Sequence, residues 1–259
     1  MAYDYEGFKS AVLKITGIDL NSYKEKQMRR RIDTLINKHK IAGYEEFVKT
    51  IMSNKKLFEE FINYLTINVS EFYRNTDQWE LLDKTFFPEM LSSFGRNLKI
   101  WSAACSTGDE PYSLVMALSR HLPLSQIKVI ATDLDKQVIA HAKNGLYGEK
   151  SIANVPADLK AKYFKKIGSS YQISDEIKAR VEFREHDLLK DSYPDKCHFI
   201  ICRNVLIYFT EEAKDEVFRK FSKALVPGGI LFIGSTEQIM NQGDFGYERR
   251  NSFFYQRKK

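Results

Sequence analysis

The stretch LKIWSAACSTGDEPYS, residues 98–113, decides the fold of this chain. It begins as an apolar run typical of a buried β-strand, continues as a loop of small residues, and reaches Pro111 at the start of a helix. A second apolar run, KVIATDLD at 128–135, ends in acids. A strand, a tight turn and a helix, with an acid closing the next strand, are typical of a fold that binds a nucleotide-like ligand.

The charged residues that follow this loop indicate which kind of nucleotide-like ligand would bind there. Residues 103–108 are small but contain no G-x-G-x-x-G pattern, and Asp109 and Glu110 follow at the helix start. These acids would repel a pyrophosphate, although a helix N-terminus itself favours anions. They favour a ligand that carries an ammonium or a sulfonium. The expected cofactor is therefore S-adenosylmethionine rather than NAD.

Length and composition restrict the class of protein. With 259 residues, 43% of them hydrophobic and 13% aromatic, the chain can bury the core of one large domain and a smaller one. No apolar run approaches the ~20 residues of a membrane span, so we expect no membrane insertion. The three cysteines lack C-x-x-C spacing, which is typical of a reducing cytoplasm, and the five scattered histidines predict no metal site.

The periodic segments predict a helical part followed by an α/β part. Residues 1–70 contain short amphipathic patterns that predict a small helical domain, and residues 71–97 predict a linking helix interrupted by Pro88. From residue 98 to 259, strand patterns alternate with helical patterns. This alternation predicts an α/β fold with a mostly parallel, doubly wound, Rossmann-like sheet.

Residues 147–181 interrupt that alternation and are too long for an ordinary connection in such a sheet. They contain a hairpin pattern that turns at Gly168 and Ser169, and Ile177 and Val181 lie in a possible third strand. We therefore expect a small inserted β subdomain.

The positive charge of the chain is concentrated in residues 21–40, where seven basic residues stand against two acidic ones. Met28 and Ile32 are spaced as on one face of a helix, which predicts an amphipathic basic helix. Successive arginines on a helix diverge by about 100°, so the patch must wrap around it. It is either a solvated surface or a docking site for nucleic acid, a membrane or an acidic protein. The candidate docking residues are Lys24, Lys26, Arg29, Arg30 and Arg31.

Five motifs together resemble those of the CheR family, the bacterial chemotaxis receptor methyltransferases, which methylate glutamates on chemoreceptors. They are NVSEFYR (68–74), WSAACSTGDEPYS (101–113), ATDLD (131–135), CRNVLIYF (202–209) and GGILFIGSTE (228–237). Their order and spacing cover nearly the whole chain. The resemblance implies a class I S-adenosylmethionine-dependent methyltransferase with an N-terminal all-α domain and an inserted β subdomain.

The resemblance also implies which residues form the site. Glu110 would contact the amino group of the cofactor and Asp133 its ribose hydroxyls, while Arg74 and Tyr208 would be catalytic. The implied cofactor-binding residues are Asn68, Ser70, Arg74, Glu110, Asp133, Asp187, Leu188, Arg203 and Asn204. The chain departs from the family pattern at Asp109, often Glu, and at Asp187, Asn in some members; both keep an acceptor oxygen.

The residues themselves leave several alternatives open. Asp133 could cap the following helix, but Asp135 is better placed for that role. Glu110 could simply compensate the helix dipole. Arg203 lies between two apolar runs and needs a carboxylate partner, either that of the cofactor or an internal acid. Tyr208 is either a core aromatic residue or part of the methyl-transfer site.

The expected partner is a chemoreceptor, whose acidic cytoplasmic helices would dock on the basic helix. The enzyme would be a cytoplasmic monomer, recruited to receptors at the inner face of the membrane. A nucleic-acid methyltransferase is the main alternative, favoured by a pI near 9.0. The N/D-P-P-Y/F motif for amine attack and a Pro-Cys motif for cytosine attack are absent from the sequence. A cofactor-sensing docking module and a small-molecule methyltransferase are weaker alternatives.

Overall fold

The computed structural model describes residues 4–259, which form two compact units. The helical unit contains the described residues up to Asn68 together with residues 205–216, and the α/β unit contains residues 69–204 and 217–259. Residues 205–216 thus group with the helical unit, although they lie within residues 98–259, for which the pattern predicts the α/β part. No helix within residues 4–259 is long and apolar enough to span a bilayer.

Residues 4–68 contribute four α-helices to the helical unit: α1 Tyr5–Thr16, α2 Glu25–Lys38, α3 Gly43–Ser53 and α4 Lys55–Thr66. The Asp4 side chain accepts a hydrogen bond from Gly7 N and so caps α1, which ends at Gly17 in the left-handed region (φ 75°). Aromatic rings hold the helices together: Phe61 packs edge-on against Phe47 at 5.3 Å and against Phe8 at 6.3 Å.

Residues 205–216 complete this unit. Phe209 packs edge-on against Tyr23, with 5.2 Å between the ring centroids. The backbone N–H of Thr210 donates to Ser22 O at 3.0 Å, and that of Lys24 donates to Tyr208 O at 2.8 Å. Tyr208 therefore lies beside the start of α2.

One long helix runs over residues 76–94, as α5 Thr76–Leu81, a π-helical turn at Leu82–Phe86 and α6 Phe87–Phe94. The predicted interruption at Pro88 was wrong, because Pro88 stands in the first turn of α6, where no backbone N–H is needed. The irregularity is the π turn instead, which the sequence does not reveal.

The other helices of the chain are α7 Asp109–Leu118, α8 Lys136–Asn144, α9 Ala157–Tyr163, α10 Asp175–Lys178 and α11 Glu211–Ala224. The strands are β1 Ile100–Ala103, β2 Val129–Asp133, β3 Leu146–Gly148, β4 Phe164–Ile167, β5 Ser170–Ile173, β6 Val181–Glu185, β7 Cys197–Cys202, β8 Leu225–Ile233, β9 Tyr247–Arg249 and β10 Phe254–Arg257.

The main sheet has seven strands in the order β6-β2-β1-β7-β8-β10-β9. Its first five strands are parallel, whereas β10 runs antiparallel to both of its neighbours. The predicted mostly parallel, doubly wound sheet is confirmed. Because β1 pairs in parallel with both β2 and β7, the loops that follow these three strands lie at the same edge of the sheet.

A second, three-stranded antiparallel sheet has the order β3-β5-β4. The hairpin turns at Gly168 and Ser169, as predicted. The third strand was assigned wrongly: it is Leu146–Gly148, while Ile177 lies in α10 and Val181 opens β6 of the main sheet. Periodicity could not separate these alternatives, because both segments are short and half-buried.

Candidate active site

The loop between β1 and α7 is held in an unusual backbone conformation. Ala104 (φ 59°) and Ser106 (φ 48°) are non-glycine residues in the left-handed region. Gly108 also has a positive φ, and a Cβ there would lie 2.7 Å from Ala142 Cβ. Backbone conformations of this kind concentrate at functional sites, where the surrounding structure imposes them. Burial raises the pKa of the Cys105 thiol in this loop, which disfavours the thiolate form.

Asp133 closes β2 beside this loop and is 6% exposed. Its carboxylate accepts the backbone N–H of Ser106 at 2.8 Å and that of Asp135 at 3.0 Å. Burial raises its pKa to about 6, against the lowering effect of these hydrogen bonds. Asp135 caps α8 through Gln137 N, so the capping alternative for Asp133 is wrong.

The two acids at the start of α7 have different environments. Asp109 is fully buried, and its carboxylate accepts hydrogen bonds from the hydroxyls of Thr107 and Ser151. Asp109 is therefore a structural residue. The expectation that both acids attract a cationic ligand applies to Glu110 alone.

The side chain of Glu110 is 13% exposed, and its two carboxylate oxygens have different partners. Its Oε1 accepts a hydrogen bond from Ser102 Oγ at 2.9 Å, while its Oε2 lies 3.9 Å from Nη1 of Arg203. Burial raises its pKa to about 7, opposed first by the charge of Arg203 and also by that of Arg74. A carboxylate in this state gains from a cationic ligand, because the ligand would restore its ionised form.

Arg203, at the end of β7, has a side chain only 3% exposed. Its Nη2 donates to Arg74 O at 3.0 Å, to Asn75 Oδ1 at 2.7 Å and to Gln78 Oε1 at 3.0 Å. Its guanidinium also lies 4.8 Å from the centroid of the Phe232 ring. The two alternatives for the partner of Arg203 were the carboxylate of the cofactor and an internal acid. An internal acid, Glu110, does lie 3.9 Å away. The shorter contacts of Arg203 are its hydrogen bonds to residues 74–78.

Arg74 is half-buried, and its backbone is fixed from two sides. Its carbonyl accepts hydrogen bonds from Arg203 Nη2 and from Trp79 Nε1, the latter at 3.1 Å. Its own Nη1 donates to Val69 O at 3.3 Å. The neighbours Tyr73 (φ 51°) and Asn75 (φ 61°) are both left-handed, so Arg74 stands on a strained, well-anchored turn.

Glu237 is a residue that sequence reasoning did not assign to the site. It is 4% exposed, and its Oε2 accepts the backbone N–H groups of Asn204 and Gly234, both at 2.8 Å. The available signal was an acid in the segment GSTE, immediately after the apolar run of β8.

The remaining predicted residues of the α/β unit lie on loops. Asp187 follows β6; its Oδ1 accepts from Leu189 N at 2.8 Å, and its own N–H donates to Asp191 Oδ2. Leu188 is buried, with its carbonyl bonded by Tyr193 Oη at 2.7 Å. Ser70 is half-buried. Their contacts with a cofactor remain predictions.

Asn68 and Tyr208 belong to the helical unit. The Asn68 amide donates to Thr66 Oγ1 at 2.9 Å and to Asn63 Oδ1 at 3.2 Å. Tyr208 is half-buried beside α2. The cofactor-binding role of Asn68 and the catalytic role of Tyr208 remain predictions from the resemblance.

The candidate docking residues on α2 divide into two groups. Arg31 donates through Nε and Nη2 to Tyr64 O, at 2.9 and 2.8 Å, and Arg29 lies 5.1 Å from the Tyr5 ring centroid. Both therefore stabilise the helical unit. Lys26 and Arg30 are exposed and one helical turn apart, whereas Lys24 is half-buried.

Comparison with known families agrees with this geometry. Residues 68–253 match the family described as CheR methyltransferase, SAM binding domain, and residues 3–66 match CheR methyltransferase, all-alpha domain. The chain belongs to the CheR methyltransferase family. Its cofactor is S-adenosylmethionine, and its α/β unit has the class I methyltransferase fold.

Two curated members of the CheR family illustrate the extent of the similarity. The chemotaxis protein methyltransferase of Listeria innocua is 41% identical, over 97% of this chain and 96% of its own length. Chemotaxis protein methyltransferase 1 of Pseudomonas aeruginosa is 35% identical, over 93% of this chain and 92% of its own. The similarity thus includes both units.

The buried charges of the site fit S-adenosylmethionine. The buried Asp133 and the partly buried Glu110 are carboxylates whose pKa values desolvation raises, so both gain from a polar or cationic partner. The Arg203 Nε is buried without a hydrogen-bond partner. Glu110 would hold the amino group, Asp133 would hold the ribose hydroxyls, and Arg203 would lie near the methionine part. Among residues 4–259 there is no cluster of three or more His, Cys, Asp or Glu residues able to hold a metal.

Proposed function

We propose that this CheR-family chain transfers the methyl group of S-adenosylmethionine to glutamate side chains of chemotaxis receptors, forming glutamyl methyl esters. The observation that best supports a carboxylate acceptor is the half-buried Arg74, whose backbone is held on an anchored turn. The names of the curated relatives, chemotaxis protein methyltransferases, support the receptor as substrate.

A glutamate acceptor matches the chemistry of the residues present. S-adenosylmethionine supplies an electrophilic methyl group on a sulfonium. A glutamate carboxylate, with an ordinary pKa of about 4.3, is ionised at neutral pH, so no general base has to remove a proton. The protein has to align and desolvate the carboxylate, and positioning of this kind can supply roughly 7–11 kcal/mol.

Arg74 and Tyr208 are the proposed positioning groups for the incoming carboxylate. A guanidinium can bind a carboxylate through charge-assisted hydrogen bonds. Binding that is too strong would stabilise the ground state and slow the attack. The anchoring of the Arg74 backbone supports a role in orientation, because it restricts where the guanidinium can reach.

The exposed surface of α2 supports an acidic partner. Lys26 and Arg30 lie on one exposed face, where acidic receptor helices would dock by electrostatic attraction. Such docking would recruit the enzyme to receptors at the inner face of the membrane.

The test is transfer of radiolabelled methyl groups from S-adenosylmethionine to receptor-containing membranes, followed by mild alkali. Volatile methanol released by alkali is the expected result, because carboxyl methyl esters hydrolyse under these conditions. Label that resists alkali would place the methyl group on another atom. Label in RNA or DNA, with none in the receptors, would support the nucleic-acid alternative, which no comparison favours.

A further inference from the structure

The ends of β7 and β8 are joined by one buried carboxylate. Glu237 Oε2 accepts the N–H of Gly234, just after β8, and the N–H of Asn204, just after β7. Both N···O distances are 2.8 Å, within the ordinary range of a hydrogen bond. Because β7 and β8 are neighbouring parallel strands, this carboxylate fixes the relative position of the two loops that follow them.

Gly234 makes this approach possible. A Cβ at residue 234 would lie 2.5 Å from Glu237 Oε2 and 2.9 Å from Asn204 N. Both distances are shorter than real Cβ contacts allow, so any side chain here would displace the carboxylate or the backbone of Asn204. The φ of Gly234 is not positive, so its backbone conformation does not itself require glycine. Glycine is needed here because the neighbouring atoms approach too closely for a Cβ.

Asn204 in turn sets the path of the chain next to Arg203. Asn204 has φ 61°, in the left-handed region, which asparagine adopts more readily than most non-glycine residues. The bond from its N–H to Glu237 holds that conformation. The preceding residue, Arg203, then reaches Arg74 O, Asn75 Oδ1 and Gln78 Oε1 through one nitrogen.

We propose that Glu237 is a positioning residue for methyl transfer, acting through Asn204 and Arg203 on the backbone of Arg74. The proposal rests on the proposed function, because it takes Arg74 as the group that orients the acceptor carboxylate. The full chain of contacts is Glu237 to Asn204 N, the peptide bond to Arg203, and Arg203 Nη2 to Arg74 O.

The test is a double-mutant cycle in the full chain, read as the single-turnover rate of methyl transfer at saturating S-adenosylmethionine and receptor. We expect Glu237→Ala to lower this rate about tenfold or more, and Glu237→Gln to lower it less, because its amide oxygen can still accept both N–H groups. Gly234→Ala should resemble Glu237→Ala. In an Arg74→Lys background, Glu237→Ala should cost only about twofold, since residues that act through one another are not additive.

Glu248→Ala is the matched control, because Glu248 is an exposed acid on β9 in the same part of the chain. It should match the wild type. A wild-type rate of methyl transfer in Glu237→Ala would overturn the proposal. It would also be overturned if the fold-loss in rate of the double variant equalled the product of the fold-losses of Glu237→Ala and Arg74→Lys, because the two residues would then act independently. If Glu237→Ala does not fold, as judged by its thermal unfolding, the same cycle is run with Glu237→Gln, for which multiplying effects would also overturn it.

The proposed function is tested separately by the wild type. If wild-type protein transfers no alkali-labile methyl to receptors, the proposed function fails before any variant is compared. If it does so and the cycle shows independent effects, only the role of Glu237 fails.

Discussion

The carboxylate of Asp109 accepts a hydrogen bond from the hydroxyl of Ser151. Asp109 opens α7 beside the cofactor loop, and Ser151 follows β3 of the small sheet. Because Asp109 is fully buried and also accepts from Thr107, it ties the inserted segment directly to the start of α7, where Glu110 lies.

We expect Asp109→Ala to lower the free energy of unfolding by about 2 kcal/mol or more. The change removes the acceptor of two half-buried hydroxyls, those of Thr107 and Ser151, and a hydrogen bond of this kind contributes about 0.5–1.5 kcal/mol. Ser151→Ala removes one of the two bonds and should cost about half as much. Denaturant unfolding measures both. Glu149→Ala, an exposed acid in the same segment, is the control, and equal stability of Asp109→Ala and Glu149→Ala would contradict a structural role.

The affinity for S-adenosylmethionine should rise with pH between about 5.5 and 7. Burial raises the pKa of Glu110 to about 7, so in the cofactor-free protein this carboxylate is mostly protonated at pH 5.5. Only its ionised form attracts the ligand ammonium, which itself stays protonated below its ordinary pKa of about 7.7–8.0. Linkage between binding and this ionisation then predicts that the affinity for S-adenosylmethionine rises about tenfold from about pH 5.5 to pH 7.

Isothermal titration calorimetry at several pH values checks this dependence. Glu110→Gln should bind more weakly and should lose most of the pH dependence. The dependence that remains should follow Asp133, whose pKa burial raises to about 6. An unchanged pH profile in Glu110→Gln would assign the effect to another group.

Arg74→Lys should lower the single-turnover rate of methyl transfer on the order of tenfold. Lysine keeps the charge but lacks the planar fork that holds a carboxylate in one orientation. The folded state should be unaffected, because the main bonds of residue 74 come from its carbonyl, which the change keeps. Arg96→Lys, at an exposed position, is the control. A wild-type rate at saturating substrate would exclude an orienting role for the guanidinium.

The double variant Lys26→Ala with Arg30→Ala should weaken receptor binding and reduce its dependence on salt. Both cations are exposed on one face of α2, and attraction to acidic helices is screened above about 0.1 M salt. Co-sedimentation with receptor membranes at several salt concentrations measures this. The pair Lys55→Ala with Lys56→Ala removes the same charge from α4 and should have a smaller effect. If the two pairs behaved alike, net charge rather than the α2 surface would be responsible.

The part of the fold that is set by local pattern could be predicted from the sequence. The strand, loop and helix over residues 98–113 and the acid at Asp133 follow from hydrophobic periodicity and from the position of Asp135, which caps α8. The short strand β9 was missed, since three residues at the edge of a sheet carry too little pattern. Likewise, no local signal separates the third strand of the small sheet from α10.

The polar network of the site could not be predicted, because its partners are far apart in sequence. Arg203 bonds residues more than a hundred positions earlier, and Glu237 bonds the backbone of Asn204, 33 positions earlier. A pattern in the sequence shows that a buried arginine needs acceptors. It does not show which turn supplies them.

The helical unit is assembled from two separate pieces of chain. Its first helices leave the ribosome early, but Ser22, Tyr23 and Lys24 find their partners only in residues 205–216. The unit therefore cannot finish folding until most of the α/β unit has been synthesised. A fragment cut after Asn68 would lack these contacts, so a transplant of this unit into another protein would need two grafted segments rather than one.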